Sequence, residues 1–145
     1  MDIIASDHAT HTVEEKEHGL ENIWESPPGL PAIESMLPLL LTAVQEGKTE
    51  LSKIVEATSA NPAKRLGLYP RKGVIRVGSD ADLVIVDPKL EKTIRGDELL
   101  AKTHWTPYEG WKTVGAPIMT IVQGVLVYHE GSIVADPGCG RFIAG

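Results

Sequence analysis

The stretch Ile3-Ile4-Ala5-Ser6-Asp7-His8-Ala9-Thr10-His11 joins a short apolar run to one carboxylate and two imidazoles. Residues 2–6 predict a strand buried on both faces, because its two alternating sets of side chains are mostly apolar or small. In α/β enzymes, the loops beyond the carboxyl ends of parallel strands carry the functional groups. We therefore expect Asp7 and His11 to mark one corner of a site. A parallel strand needs neighbours, so the chain is expected to be the tail of a longer enzyme.

Composition excludes several classes of function. The net charge is −6 at pH 7 and no cluster of Lys or Arg interrupts it, which argues against nucleic-acid binding. The longest apolar run, residues 36–41, is far too short to cross a bilayer. The single cysteine, Cys139, cannot form an internal disulfide, which suits a reducing compartment. We therefore expect a cytoplasmic protein that binds neither nucleic acid nor membrane.

Helical spacing dominates the first half of the chain. Residues 8–30 predict a long polar connection without regular structure, ending in Ser26-Pro27-Pro28-Gly29. An apolar stripe then predicts a helix from about residue 31 to Gly47, kinked at Pro38. A second helix is expected over 50–58 with Thr49 as its N-cap, and a short third one restarts at Asn61-Pro62 and ends at Gly67.

From Gly73 onward the pattern indicates strands. Residues 74–77 and 83–86 predict two strands, the second ending at Asp87-Pro88. Residues 89–104 are rich in charge and are expected on the surface, with one helical turn near 98–102. Strands 118–122 and 125–128 are predicted to pair across Gln123-Gly124, and 132–134 to extend their sheet. Since a (β/α)₈ barrel needs roughly 250 residues, we divide the chain into a barrel-like part, 1–69, and a small β domain, 70–145.

The motif Asp7-His8-Ala9-Thr10-His11 resembles the Asp-His-Ala-Pro-His motif of cyclic amidohydrolases, most closely that of bacterial and archaeal dihydroorotases, with Thr10 replacing the proline. Five later segments are similar to family motifs in the expected order: 28–34, 61–68, 72–83, 106–110 and 140–142. The resemblance covers nearly the whole chain but only the last third of a family member. It implies an α/β fold: the last βα unit and helices of a metal-dependent hydrolase TIM barrel, followed by a small β-sandwich-like module.

The resemblance also implies a chemistry. It is the zinc-dependent hydrolysis of a cyclic amide or the reverse condensation, interconverting dihydroorotate and N-carbamoyl-aspartate in pyrimidine biosynthesis. Carried over to this sequence, Asp7 is both the catalytic residue and a metal ligand. His11 binds the substrate carboxylate, and Pro28 and Gly29 offer backbone groups to the ring.

The family's other metal ligands have no counterpart in this sequence. They are a His-x-His pair, a carboxylated lysine and two later histidines, whereas His18, His104 and His129 are scattered without a zinc spacing. Catalytic zinc sites use about three protein ligands. The isolated chain is therefore expected to be inactive and to lack the one or two zinc ions of a complete enzyme. Its expected partners are a small cyclic amide and a missing N-terminal barrel segment, or a second copy of itself.

Two other interpretations stay open. The chain could be a segment of an allantoinase or hydantoinase, although those relatives usually differ at the position of His11. It could also be a non-catalytic scaffold or interaction module, because some family members lose their metal site and support a partner enzyme. The metal content of the chain, and activity after an N-terminal partner is supplied, separate these classes.

Overall fold

A four-stranded antiparallel sheet forms the second half of the molecule in the computed structural model, which describes residues 1–143. Its strands follow chain order: β1 (Leu83–Thr93), β2 (Lys112–Val122), β3 (Val125–His129) and β4 (Ser132–Ile133). The predicted hairpin is confirmed, since Val122 pairs with Val125 across a two-residue turn. Gln123 and Gly124 both have positive φ, 50° and 84°, as a type I′ turn requires.

Helices make up the first half. They are α1 (Val13–Glu21), α2 (Ile33–Gln45), α3 (Leu51–Val55) and α4 (Asn61–Arg65), with a π-helical turn, Glu56–Ala60, between the last two. Helix α2 confirms the predicted apolar helix and keeps Pro38 in its interior. It packs on β2 so closely that a Cβ added to Gly115 would lie 2.8 Å from Leu41 Cβ. The division at residue 69 stays a prediction, and α2 and β2 are in direct contact across it.

Several expectations for the first 65 residues are wrong. Residues 2–6 do not form a strand; Ile4 instead donates its N–H to the Ala57 carbonyl at 3.0 Å, because no other strand of the described residues lies beside them. The predicted unstructured connection contains α1, whose start is fixed by a capping box between Thr12 and Glu15. The predicted break before Asn61 is also absent: the helical backbone continues through it, and the Asn61 amide donates to the Asp2 carbonyl at 2.8 Å.

The ends of several helices and strands also differ from the predicted ones. Glu50, not Thr49, is the N-cap of α3. Residues 74–77 form a loop, and the expected helical turn at 98–102 is a 3₁₀ turn at Gly96–Glu98. Strand β1 does not stop at Asp87-Pro88; its register with β2 shifts between Asp87 and Glu91. Such an irregularity accommodates a proline that cannot donate to the ladder, so the strand continues beyond it.

The loop before β1 is held by a small ion-pair cluster. The Lys72 ammonium lies 3.0 Å from the Asp80 carboxylate and also contacts Asp82, while Arg71 Nε donates to Asp80 at 3.0 Å. The hydrogen bond from Lys72 lowers the pKa of the Asp80 carboxyl below its ordinary value. These contacts tie the end of the helical half to the start of the sheet.

None of the helices between residues 1 and 143 has the length and apolar character needed to span a bilayer.

Candidate active-site corner

Asp7 lies where the apolar first segment ends, and its backbone has an unusual conformation. Its φ is +46°, in the left-handed region that aspartate tolerates better than most residues. The side chain is exposed in this chain. Strained, positive-φ residues concentrate at functional sites, where surrounding structure holds them in place. Asp7 is thus presented outward at the end of the segment on which the sequence placed it.

The loop before α2 packs directly against this motif. Ala9 donates its N–H to the Leu30 carbonyl at 3.0 Å, and His8 and Leu30 form a parallel bridge. Gly29 has φ +88°, and a Cβ there would lie 2.6 Å from Ala9 Cβ and 3.5 Å from the Asp7 carbonyl oxygen. Pro28, beside it, is exposed. The structure therefore brings three of the four predicted site residues, Asp7, Pro28 and Gly29, onto two adjoining pieces of backbone.

His8 caps the helix that follows this loop. Its Nδ1 accepts hydrogen bonds from the backbone N–H groups of Ala32 at 3.1 Å and Ile33 at 3.3 Å. Ala32 is the N-cap of α2 and has no side chain able to fill that role. A neutral imidazole that accepts at Nδ1 carries its proton on Nε2. His8 therefore stabilises α2 and offers no free lone pair for a metal.

His11, the fourth predicted residue, stands at the start of α1. Its Nδ1 lies 3.4 Å from a Glu15 carboxylate oxygen, and that same oxygen accepts the Thr12 N–H at 2.8 Å. Its carbonyl accepts a hydrogen bond from Trp105 Nε1 at 2.7 Å. The backbone around His11 is thus held from two directions, by α1 and by a residue 94 positions later in the chain.

Sequence reasoning missed two of these residues. Nothing in the local sequence around Trp105 indicates a partner so distant in the chain. The role of Glu15 does have a local signal, because the pattern Thr12-x-x-Glu15 is typical of a capping box.

Residues 1–143 contain no group of three or more His, Cys, Asp or Glu side chains able to hold a metal ion. Within this part of the chain, Asp7 stands as a single exposed carboxylate at the motif. Catalytic zinc requires about three protein ligands. The donor set of the described chain therefore does not fit a catalytic metal by itself.

The amidohydrolase family matches residues 2–127, which is most of the chain. The chain belongs to the amidohydrolase family. Metal ions are generally used in this superfamily. The match begins ahead of Asp7 and runs through β1 and β2 into β3, so it includes both the motif and the sheet.

Curated relatives carry two different names. A dihydroorotase of Pyrococcus furiosus is 47% identical over 141 residues, covering 97% of this chain and 32% of the relative. A dihydroorotase of Methanothermobacter thermautotrophicus is 44% identical, covering 99% of this chain and 32% of the relative. An L-hydantoinase of Paenarthrobacter aurescens is 36% identical, covering 99% of this chain and 31% of the relative. The chain therefore spans about a third of the length of these relatives.

Solved structures confirm the expected fold class. The L-hydantoinase of Arthrobacter aurescens superposes with a TM-score of 0.92 at 36% identity, covering 98% of this chain and 32% of that one. A D-hydantoinase of a Thermus species gives 0.92 at 37% identity, covering 97% and 31%. These neighbours are TIM-barrel enzymes, and the chain is an α/β piece amounting to about a third of them.

Proposed function

We propose that this chain supplies one corner of the active site of a dihydroorotase, which interconverts dihydroorotate and N-carbamoyl-aspartate in pyrimidine biosynthesis. The observation that carries the proposal is that Asp7 is exposed at positive φ and that Gly29 packs against its backbone. The chain also belongs to the amidohydrolase family. Identities of 44% and 47% to two dihydroorotases support this substrate over the hydantoins. A cytoplasmic location is part of the proposal and rests on the single cysteine.

Each predicted residue has a role that suits its environment. The Asp7 carboxylate is exposed and able to take a proton from the attacking water and return it to the leaving ring nitrogen. His11 would hold the substrate carboxylate, because a half-buried imidazole offers an N–H donor to an anion. Pro28 and Gly29 would present backbone groups to the ring, since a glycine without Cβ lets the ring approach the main chain closely.

Most of the zinc ligands in this proposal are residues that this chain does not contain. Asp7 would be one ligand, and the remaining ligands would come from the rest of the barrel. When bound, zinc would polarise the amide carbonyl and lower the pKa of a water molecule. The isolated chain is accordingly proposed to be inactive.

Hydantoin hydrolysis is the second candidate. It is favoured by the 36% identity to an L-hydantoinase and by TM-scores of 0.92 to hydantoinase structures. The two substrates differ in a way that the site can sense, because dihydroorotate carries a ring carboxylate and hydantoin does not. His11 is the residue in this chain proposed to bind the ring carboxylate, so it would distinguish the two substrates.

The test is to supply the missing barrel. The chain would be joined to, or mixed with, the part of the Pyrococcus furiosus dihydroorotase that it does not match, and the zinc-loaded assembly assayed with dihydroorotate and with hydantoin. Preferential turnover of dihydroorotate is expected, while the added segment alone should be inactive. Preference for hydantoin would establish the second candidate. A folded, zinc-loaded assembly that turned over neither would point to a scaffold.

A further inference from the structure

We propose that Trp105 is a positioning residue for His11, held in place by residues 94–111, which we name the strap. This inference rests on the proposed function and deepens it, because it identifies what fixes the residue that would bind the substrate carboxylate. Trp105 would not touch the substrate. It would act through the peptide carbonyl of His11.

The strap is a loop closed on itself between β1 and β2. At its base, Ile94 donates its N–H to the Trp111 carbonyl at 2.8 Å, and Gly110 donates to the Ile94 carbonyl at 2.9 Å. Inside, the Glu109 carboxylate accepts the Gly96 N–H at 2.7 Å. A Cβ on Gly96 would lie 2.7 Å from Trp105 Cα, so the two sides of the loop touch where Trp105 sits. The position of Trp105 is therefore set by the loop itself.

The strap is also fastened to the framework of the candidate site. The Glu34 carboxylate, in the first turn of α2, accepts the backbone N–H groups of Leu100 at 3.0 Å and Ala101 at 2.9 Å. Hydrogen bonds to a charged acceptor are stronger than those between neutral groups. Helix α2 is the helix whose N-terminus is capped by His8. The strap and the motif of residues 7–11 are therefore both hydrogen-bonded to helix α2.

From this anchored loop, the indole of Trp105 reaches the His11 carbonyl at 2.7 Å. The indole N–H can only donate, so this contact fixes both the distance and the direction of the carbonyl. The next residue, Thr12, is the N-cap of α1, whose capping box orients the other side of the same peptide. The His11 backbone is therefore clamped between the strap and α1. This fixes the backbone position from which the imidazole side chain extends.

A clamped ligand-binding residue lowers the entropic cost of binding, because less motion has to be frozen when the substrate arrives. This gain in binding affinity applies only to the part of the substrate that His11 contacts. Loss of the indole N–H should therefore weaken binding of the carboxylate-bearing substrate, and leave both the chemical step at Asp7 and binding of the bare ring unchanged.

The kinetic test uses the zinc-loaded assembly with Trp105→Phe, which keeps an aromatic ring but removes the N–H donor. The KM for dihydroorotate should rise roughly 3- to 10-fold, the range expected for loss of one hydrogen bond, with little change in kcat. The inhibition constant of dihydrouracil, the same ring without the carboxylate, should not change. The matched control is Trp111→Phe, because the Trp111 ring lies on the same loop and packs edge-on against Tyr108, with ring centroids 5.3 Å apart.

Three results would overturn the inference: an unchanged KM in the Trp105 variant, an equal rise in the Trp111 variant, or an equal weakening of dihydrouracil inhibition. A second measurement tests the hydrogen bond between Trp105 and His11 without an assay of catalysis. Hydrogen exchange of residues 8–16 in the 145-residue chain should accelerate with Trp105→Phe and not with Trp111→Phe; equal exchange refutes the clamp. If the wild-type assembly failed to hydrolyse dihydroorotate, the proposed function would fail and the exchange result alone would decide the role of Trp105.

Discussion

At the scale of single residues, the geometry of the candidate site depends on two backbone conformations, those of Asp7 and Gly29. Both have positive φ, +46° and +88°, and they lie against each other through Ala9 and the Asp7 carbonyl. A left-handed aspartate carries a cost of order 1–3 kcal/mol that its surroundings must offset. The close fit of Gly29 is one of the contacts that do so.

Replacing Gly29 with alanine should therefore destabilise the chain more than the same change at another left-handed glycine. Gly47 is the matched control, because it has φ +72° with no atom within 4 Å of an added Cβ. Gly47→Ala should cost about 1–2 kcal/mol, because alanine is strained at positive φ. Gly29→Ala should add roughly 1–3 kcal/mol for the clash with Ala9. Urea unfolding gives both values, and equal free energies would show that the Gly29 loop does not press on the motif.

Residue types were more predictable than residue conformations. The motif resemblance named Asp7, His11, Pro28 and Gly29, and the structure places the first, third and fourth on adjoining backbone. Their roles remain predictions. The role of Trp105 could not be predicted, because its partner lies 94 positions away and no local pattern encodes a contact across such a distance.

Between elements, one side-chain hydroxyl links α2 to β2 by hydrogen bonds. Pro38 disrupts the regular hydrogen bonding of α2. Thr42 Oγ1 donates to the Pro38 carbonyl at 2.8 Å and accepts the Val114 N–H of β2 at 2.9 Å. Thr42 thus joins the helix to the sheet at the level of the proline.

Thr42→Val should leave the Val114 N–H without its partner at the interface between helix and sheet, lowering the free energy of unfolding by roughly 1–3 kcal/mol. Thr58→Val is the control, because the Thr58 hydroxyl only donates, to the Ile54 carbonyl at 2.7 Å within its own helical segment. Denaturant unfolding followed by circular dichroism measures both. A Thr58 variant that lost as much stability would contradict the assigned role of Thr42.

Elements with local signals were predicted well, and those that depend on distant neighbours were not. The hairpin at Gln123-Gly124 was confirmed because its turn type requires only two residues with positive φ. The strand at 2–6 was wrong because a strand exists only beside a partner, and the apolar pattern says nothing about whether one is present. Helix α1 was missed for lack of an apolar stripe, although its capping box could be read from the sequence.

Taken as a whole, the molecule exposes much more surface than its size requires. Its accessible surface is 10037 Å², whereas a compact monomer of 15.7 kDa would expose about 7,300 Å². Several large apolar side chains contribute, among them Ile75 at 87% exposed and Val77 at 101%. Exposed apolar surface on this scale favours association.

The isolated chain should therefore self-associate or capture an added N-terminal barrel segment, and it should carry no stoichiometric zinc. Size-exclusion chromatography with light scattering, a dye that binds exposed apolar surface, and metal analysis test the three parts. Adding the barrel segment should reduce both dye binding and self-association. A monomer that bound no dye, or a chain purified with one zinc per molecule, would contradict this expectation.

The most direct test of the central claim is turnover of dihydroorotate by the zinc-loaded assembly carrying Asp7→Asn, compared with Asp2→Asn on the same segment. Asparagine tolerates positive φ, so the motif should keep its fold while losing the carboxylate proposed both to bind zinc and to take and return the proton. We expect Asp7→Asn to lower kcat by at least about 100-fold with assembly intact, and Asp2→Asn to retain full activity. Full turnover by the Asp7 variant would contradict the account.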